Sequence, residues 1–221
     1  MIPPEQSGAF VWRMEDILAV YTRPADPRRP VICMDEVSKQ VLREVRPSLP
    51  PRPGQVRRED VEYVRGGVLN LFVFCEPLRG WRRVSVTERR TKLDWAEQIQ
   101  HLVDVDYPQA DRIVLVMDNL NIHTPAALYE RFPAAQARRL ASKLELHYTP
   151  KHGSWLNMAE IELSVLSRQC LNRRVPDRAF LEQSVAAWVD ERNATGAPID
   201  WRFTTEDARI KLQRLYPSFE V

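Results

Sequence analysis

An uninterrupted apolar run near the middle of the chain constrains the fold most strongly. It spans residues 113–117, and Asp118 follows it directly. Five apolar residues without polar alternation predict a central strand covered on both faces. A shorter run, residues 31–34, ends in the same way at Asp35. The pattern therefore predicts a sheet in which two inner strands lead into carboxylates.

The other apolar patterns predict strands first and then alternating helices and strands. The predicted strands cover residues 31–34, 68–75, 81–87, 113–117 and 144–148. The predicted helices cover residues 92–105, 126–132, 134–144, 155–171, 177–193 and 206–215. Residues 68–87 form a hairpin, with a turn at residues 77–80 and another turn ahead of it at Gly66-Gly67. This order predicts an α/β fold with a mixed central sheet and helices on both faces, as in the ribonuclease H-like fold.

Two proline-rich segments lie outside this pattern. Residues 1–30 hold a short amphipathic stretch and five prolines, which predict an N-terminal arm or linker ahead of a catalytic domain over residues 31–221. Residues 47–60 hold four prolines and predict an irregular exposed segment.

The charge is nearly balanced but locally clustered. There are 32 basic and 30 acidic side chains, a net charge of +2, and 27 of the basic residues are arginines. Because guanidinium groups match phosphate geometry, the basic clusters indicate a nucleic-acid partner. The alternative is an arginine-rich face that is simply solvated. The candidates chosen by charge are Arg57, Arg58, Arg82, Arg83, Arg173 and Arg174.

The sequence also argues against several other classes of protein. No apolar run approaches the roughly 18 residues of a membrane span, and the N-terminus lacks a signal pattern, so we expect a cytoplasmic protein. The three cysteines, Cys33, Cys75 and Cys170, are far apart in the sequence and lie in apolar contexts. They predict buried thiols, with neither a zinc site nor a disulfide framework.

The carboxylates at the strand ends suggest a metal site. If the strands before Asp35 and Asp118 are parallel neighbours, the two carboxylates lie side by side and repel one another unless a cation lies between them. Mg²⁺ prefers such oxygen ligands together with phosphate oxygens. Glu160, one turn into the helix predicted over residues 155–171, supplies a third carboxylate. Such a set suits phosphodiester chemistry, although one Asp after a strand is commonly only a turn or capping residue.

Three blocks of sequence around these carboxylates carry a family resemblance. They are Val31-Ile32-Cys33-Met34-Asp35-Glu36, then Val116-Met117-Asp118-Asn119-Leu120-Asn121-Ile122-His123, then Tyr148-Thr149-Pro150 followed by Ser154-Trp155-Leu156-Asn157-Met158-Ala159-Glu160. They resemble the D-D-E transposases of bacterial insertion sequences, in the branch related to the mariner superfamily. The resemblance runs from about residue 10 to about residue 214. It departs from the pattern at Met158-Ala159, where many members have Pro-Ile, and in the 41 residues between Asp118 and Glu160.

The resemblance implies a ribonuclease H-like D-D-E catalytic domain with Asp35, Asp118 and Glu160 as catalytic and metal-binding residues. It implies dependence on Mg²⁺, with Mn²⁺ as a substitute and a pair of ions in the site. It also implies cleavage of DNA at terminal inverted repeats, joining to target DNA, and a homodimer in the active complex. The family's N-terminal helix-turn-helix domain is expected to be absent, and the location to be the bacterial cytoplasm and nucleoid.

Further residues are candidates for supporting roles. Asn119, His123 and Asn157 are expected to orient the carboxylates or contact DNA, and Lys151 and His152 to contact DNA. Glu36 or Glu162 is a candidate fourth carboxylate, although a salt bridge or a surface position is the more expected role for each.

Two other functions stay open from the sequence. A hydrolytic nuclease of the same fold would share the metal chemistry without joining DNA. An inactive remnant of a transposase would bind DNA without metal-dependent turnover.

Overall fold

The computed structural model describes residues 6–45, 53–54 and 62–218. Its strands are β1 Val31–Glu44, β2 Tyr63–Glu76, β3 Trp81–Thr87, β4 Ile113–Met117 and β5 Leu144–Tyr148. Its α-helices are α1 Gly8–Tyr21, α2 Lys92–His101, α3 Ala126–Arg131, α4 Ala134–Ser142, α5 Ala159–Leu166, α6 Arg178–Thr195 and α7 Thr205–Lys211. Short π-helical segments cover Leu102–Asp106 and Ser167–Leu171, and 3-10 turns cover Ser154–Leu156 and Gln213–Leu215.

The five strands form one mixed sheet in the order β3-β2-β1-β4-β5. Strands β1, β2 and β3 pair antiparallel, whereas β1, β4 and β5 pair parallel. The predicted mixed sheet and the predicted β2–β3 hairpin are therefore confirmed. Because β1 and β4 are parallel neighbours paired from Val31 and Val114 onward, the carboxyl end of β4 lies beside the early part of β1, just ahead of Asp35.

Strand β4 is covered on both faces, as its unbroken apolar sequence predicts. Ile113, Leu115 and Met117 are buried in an apolar cluster with residues of α2, α3 and α4. Val114 and Val116 point the other way, into a second cluster that includes residues of α1 and α7. Alternation along the strand thus sends successive side chains to opposite helical layers. The predicted helices on both faces are confirmed.

Helix α1 lies within the segment predicted to be an arm or linker. Ser7 caps the helix by accepting a hydrogen bond from the Phe10 amide at 3.2 Å. Phe10, Met14 and Ile17 are buried in the second cluster, so α1 packs against the sheet. The domain boundary at residue 31 stays a prediction, but burial of one apolar helix face makes residues 8–21 part of the packed core.

One of the two predicted turns is wrong, whereas the turn at residues 77–80 is confirmed. Gly66-Gly67 is not a turn but lies inside β2, opposite a register shift between Gln40 and Leu42 of β1. A side chain at position 66 would place its Cβ 2.9 Å from Val41, and Gly67 has a φ of 101°. The glycines therefore permit a close approach and an unusual backbone within a continuous strand.

The three cysteines are buried and free, as predicted. No helix in the described residues is long and apolar enough to cross a membrane. The DNA-contact candidates Arg57 and Arg58, and all of the predicted irregular segment except residues 53–54, lie outside the described residues.

The prediction that Arg82 and Arg83 contact DNA is wrong. Arg82 is 2% exposed, and its Nη2 donates to Glu162 Oε1 at 2.7 Å. Arg83 points to the other face of β3, where its Nε lies 2.6 Å from Asp106 Oδ2 and its guanidinium stacks over Phe74. Successive side chains of a strand point to opposite faces, so Arg82 and Arg83 lie on different faces of β3. Both of these faces are covered by other parts of the protein. Arg173 is exposed and hydrogen-bonded to the Cys170 carbonyl, and its role, like that of Arg174, stays a prediction.

We expect Arg82→Met to destabilise the fold because it leaves the fully buried Glu162 with only the longer contact to Arg192. Removing one partner of a buried ion pair costs about 3–5 kcal/mol. Arg202→Met, at an ion pair that is largely exposed, serves as the matched control and is expected to change stability by less than about 1 kcal/mol. Equal free energies of unfolding for the two variants in urea titrations would contradict this account.

Candidate metal centre

Asp35 and Asp118 are brought together by the parallel pairing of β1 and β4. That pairing runs from Val31 opposite Val114 to Cys33 opposite Val116. The same register, continued by two residues, places Asp35 beside Asp118. The predicted neighbouring parallel strands are therefore confirmed.

One detail of the Asp35 prediction is wrong. Asp118 follows the end of β4 as expected, but Asp35 lies inside the longer strand β1, where it pairs with Val73 of β2. Strand β4 pairs with β1 only as far as Cys33, whereas the antiparallel partner β2 continues past Asp35. The Asp35 carboxylate therefore lies where β1 no longer has β4 as a neighbour.

Glu160 is the second residue of α5, which begins at Ala159. The break in the backbone just before this helix lies at Asn157. The continuous helix predicted over residues 155–171 is wrong. A 3-10 turn ends at Leu156, Asn157 takes an extended backbone with ψ of 111°, and α5 then begins at Ala159. This break turns the start of α5 toward the strand edge and separates it from the preceding loop.

The side chain of Asn157 joins the two segments that carry Asp35 and Glu160. It is 1% exposed, and its Nδ2 donates to the Met34 carbonyl at 2.9 Å and to Asp35 Oδ2 at 3.3 Å. Its Oδ1 accepts a hydrogen bond from the Ala159 amide at 3.1 Å. Its backbone carbonyl accepts one from the Glu160 amide at 3.0 Å. This is the geometry that an orienting role requires.

Burial and the neighbouring carboxylates disfavour the ionised form of Asp35. Burial, and to a smaller extent the negative charges of Glu160 and Asp118, together raise the pKa of Asp35 to about 7, although the hydrogen bond from the Glu36 amide acts in the opposite direction. Two close carboxylates disfavour the ionised form of one of them unless a cation is present. A nearby divalent cation would therefore favour the ionised form of Asp35.

His123 forms a charged bridge between Glu36 and Asp118. Its Nε2 donates to Glu36 Oε1 at 2.6 Å, and its Nδ1 lies 2.8 Å from Asp118 Oδ1. Burial lowers the pKa of His123, but the two carboxylates outweigh burial and raise it to about 9. Burial also opposes the charge on Asp118, but His123 outweighs it and lowers the pKa of Asp118. The pair keeps Asp118 ionised and fixes its direction.

Two sets of residues are candidates for the metal centre. Glu36, Asp118 and His123 bring ligand-type atoms within 4.8 Å of one another. A protonated imidazole has no free lone pair, however, and Glu36 is already bound to it. Asp35, Asp118 and Glu160 offer carboxylate oxygens, which suit a hard divalent cation better. We therefore read the first set as an ion-pair network that supports Asp118.

The sequence singled out His123 but not its partnership with Glu36. Glu36 follows Asp35 in β1, so the two side chains point to opposite faces of the sheet. The other candidate fourth carboxylate, Glu162, is fully buried against Arg82, as its expected salt-bridge role requires. Only strand pairing, which no single-residue pattern reports, would have shown that Glu36 faces His123.

The remaining predicted residues lie at the rim. Asn119 follows Asp118 and is exposed, and Lys151 and His152 are exposed in the loop ahead of Asn157. His152 has a φ of 65°, a backbone conformation that costs energy in residues other than glycine. These three side chains line one groove next to the carboxylates.

Comparison with solved structures identifies the class of fold. The Mos1 mariner paired-end complex with Mn matches with a TM-score of 0.59 and 16% identity, over 100% of this chain and 66% of that chain. The Mos1 strand transfer complex gives 0.61 and 16%, over 100% and 65%. The catalytic domain of Mos1 mariner transposase gives 0.57 and 14%, over 99% and 100%. At these identities the likeness shows the fold, and it confirms the predicted α/β, ribonuclease H-like architecture.

The family follows from the sequence itself. A family model described as DDE superfamily endonuclease matches residues 30–182, and the chain belongs to that family. No curated protein matches the sequence. The chain spans about 66% of the length of the Mos1 chains in the paired-end complexes.

We expect Asp35→Asn to stabilise the metal-free protein at pH 8. The rise of the Asp35 pKa from 3.8 to about 7 corresponds to at most about 4 kcal/mol of destabilisation by the ionised carboxylate. The gain should be full above pH 7 and shrink between pH 7 and pH 4, where folded Asp35 keeps a proton that the unfolded chain has lost. Thermal unfolding across this pH range measures it.

Asp190→Asn makes the same chemical change at an exposed position of α6 and should show no such pH dependence. Added Mn²⁺ should stabilise the wild type and the Asp190→Asn variant more than Asp35→Asn. An unchanged or lower unfolding temperature for Asp35→Asn at pH 8 would contradict the repulsion described above.

Proposed function

We propose that this chain is the catalytic domain of a transposase, which cleaves DNA strands at the ends of its element and transfers them into target DNA. The observation that carries the proposal is the parallel register of β1 and β4, which leads to Asp35 and Asp118 on neighbouring strands, together with the hydrogen bonds of Asn157 that link Asp35 to the start of the helix that carries Glu160. Membership of the DDE superfamily endonucleases supports phosphodiester chemistry at this edge.

We propose Asp35, Asp118 and Glu160 as the metal-binding and catalytic residues. The described donors are carboxylates held at a water-accessible edge, which fits Mg²⁺ or Mn²⁺. Two of the matched Mos1 structures are paired-end complexes with Mn and with Mg. A pair of such ions would supply activation of the attacking oxygen and stabilisation of the leaving one.

The residues of this chain contribute position and charge. Asn157 fixes the Asp35 carboxylate relative to the start of α5, so that Glu160 approaches from the helix while Asp35 approaches from the sheet. His123 holds Asp118 in one orientation and in its ionised form. All of these groups are fixed by strands, a helix start or buried hydrogen bonds, which keeps the site rigid before substrate arrives.

Strand transfer, DNA ends and a homodimer enter the proposal through the relatives. Matched Mos1 structures include a paired-end complex, a pre-cleavage transpososome and a strand transfer complex. We extend these to this chain as proposals, together with an origin in a bacterial insertion sequence and a site of action on cytoplasmic DNA.

The test is an assay of cleavage and joining with purified chain, Mg²⁺ or Mn²⁺, and duplexes that carry the inverted repeats of the encoding element. Asp118→Asn should lower cleavage by more than about a hundredfold, beyond the 10–100-fold typical of groups that only orient ligands. Asp190→Asn should retain wild-type rates, since it makes the same change away from the site.

The products separate the competing functions. Cleaved DNA without joined product would identify a hydrolytic nuclease. DNA binding without metal-dependent turnover would identify an inactive remnant. Wild-type activity in Asp118→Asn would contradict the proposed site.

A further inference from the structure

A groove of about 350 Å³ opens beside the candidate metal centre. One wall is the first turns of α1, and the other is the loop between β5 and the 3-10 turn. Its lining includes Phe10, Arg13, Asn119, Pro150, Lys151 and His152. Asn119 is the residue after Asp118, so the groove begins one residue away from a proposed metal ligand.

Two cationic side chains, Arg13 and Lys151, line the groove. Among the described residues, neither Arg13 nor Lys151 forms an ion pair, and no acidic residue lines the groove. By contrast, Arg23 and Arg29 both pair with Glu145 at 2.6 Å. Arg13 is also partly buried, so its charge is only partly compensated by water. A cation in this state favours an anionic ligand.

Arg13 is also coupled to the site through β5. Burial raises the pKa of Tyr148, and the charge of Arg13 opposes that rise, so the guanidinium lies within electrostatic range of the ring. The Tyr148 hydroxyl donates to the carbonyl of His123 at 2.8 Å, and His123 in turn holds Asp118. Tyr148, at the end of β5, therefore lies near both Arg13 of the groove and the segment that carries His123.

We infer that this groove is a subsite for a backbone phosphate of the DNA strand, within a few nucleotides of the phosphate that is cut. Arg13 from α1 and Lys151 from the loop provide the positive charges, and Asn119 provides a polar contact beside Asp118. The inference rests on the proposed function for its ligand, and it gives α1 a part in substrate binding. A strand that crosses the acidic centre meets cations here, which offset the repulsion between its phosphates and the carboxylates.

Salt dependence of DNA binding tests the inference. The probe is a fluorescein-labelled duplex of arbitrary sequence, titrated with protein in Ca²⁺ at several NaCl concentrations and followed by fluorescence anisotropy. Each neutralised phosphate contributes about 0.9 to the slope of log affinity against log salt. Because both cations would neutralise one phosphate, the Arg13→Gln, Lys151→Gln double variant should lower the slope by about that amount, and each single variant should lower it by no more than that.

Arg138→Gln is the matched control, because Arg138 is exposed on α4, away from the groove. It should leave the slope unchanged. If the double variant matches Arg138→Gln while the wild type binds DNA, the groove is not a phosphate subsite. Failure of the wild type to bind DNA would contradict both the subsite and the proposed function.

A second measurement locates the phosphate. In a repeat-end duplex, single phosphates near the cleavage site are replaced in turn by uncharged methylphosphonate. Wild-type affinity should fall at one position, and the Arg13→Gln, Lys151→Gln double variant should show no further loss there. If the wild type cleaves the duplex but the wild type and the double variant lose the same affinity at that position, the proposed function stands and the subsite is overturned.

Discussion

The buried side chain of Asn157 holds the strand that carries Asp35 and the helix that carries Glu160 in one arrangement. Its amide group donates to the Met34 carbonyl and to Asp35, and accepts from the amide that begins α5. A buried amide with unmet hydrogen bonds would cost about 1–3 kcal/mol, so the donor and acceptor contacts make other placements of α5 unfavourable. These hydrogen bonds link sheet and helix at the site through the side chain of this one residue.

Strand alternation divides the polar groups of the site between two sides of the sheet. Asp35 faces the side that holds Asn157, and Glu36, the next residue, faces His123 on the side of α2. The ring of His123 lies 6.2 Å from that of the buried Trp95, which places the charged bridge against the apolar cluster. Among the described residues, Asp35 on the first side forms no ion pair, whereas the second side carries the ion-pair network in which Glu36 and His123 hold Asp118. This asymmetry favours cation binding on the first side.

The sequence predicted the framework well because its signals are local. Unbroken apolar runs gave the strands, and their shared Asp endings gave the neighbouring carboxylates. The motif around Asn157 separated Glu160 from Glu162, a choice that helical periodicity alone could not make. The structure adds the reason, since Glu162 is buried against Arg82.

The features that were missed depend on contacts between distant segments. The length of β1 beyond Asp35 depends on pairing with β2, which a short apolar run does not report. The burial of Arg82 and Arg83 depends on which helices cover β3. The packing of α1 depends on a partner surface contributed by β4 and α7. Charge counts and proline content describe one segment and carry no information about the segments that pack against it. They therefore could not predict that Arg82 and Arg83 are buried or that α1 is packed.

The central claim is that Asp35, Asp118 and Glu160 converge on a divalent cation. An anomalous difference map from a Mn²⁺-soaked crystal tests it most directly. We expect a peak bounded by oxygens of these three carboxylates, at about the 2.0–2.1 Å distances of Mg²⁺-type coordination, with His123 still bound to Glu36. A peak bound instead by Glu36 and His123, or three carboxylates that remain apart in a well-ordered map without a peak, would contradict the account.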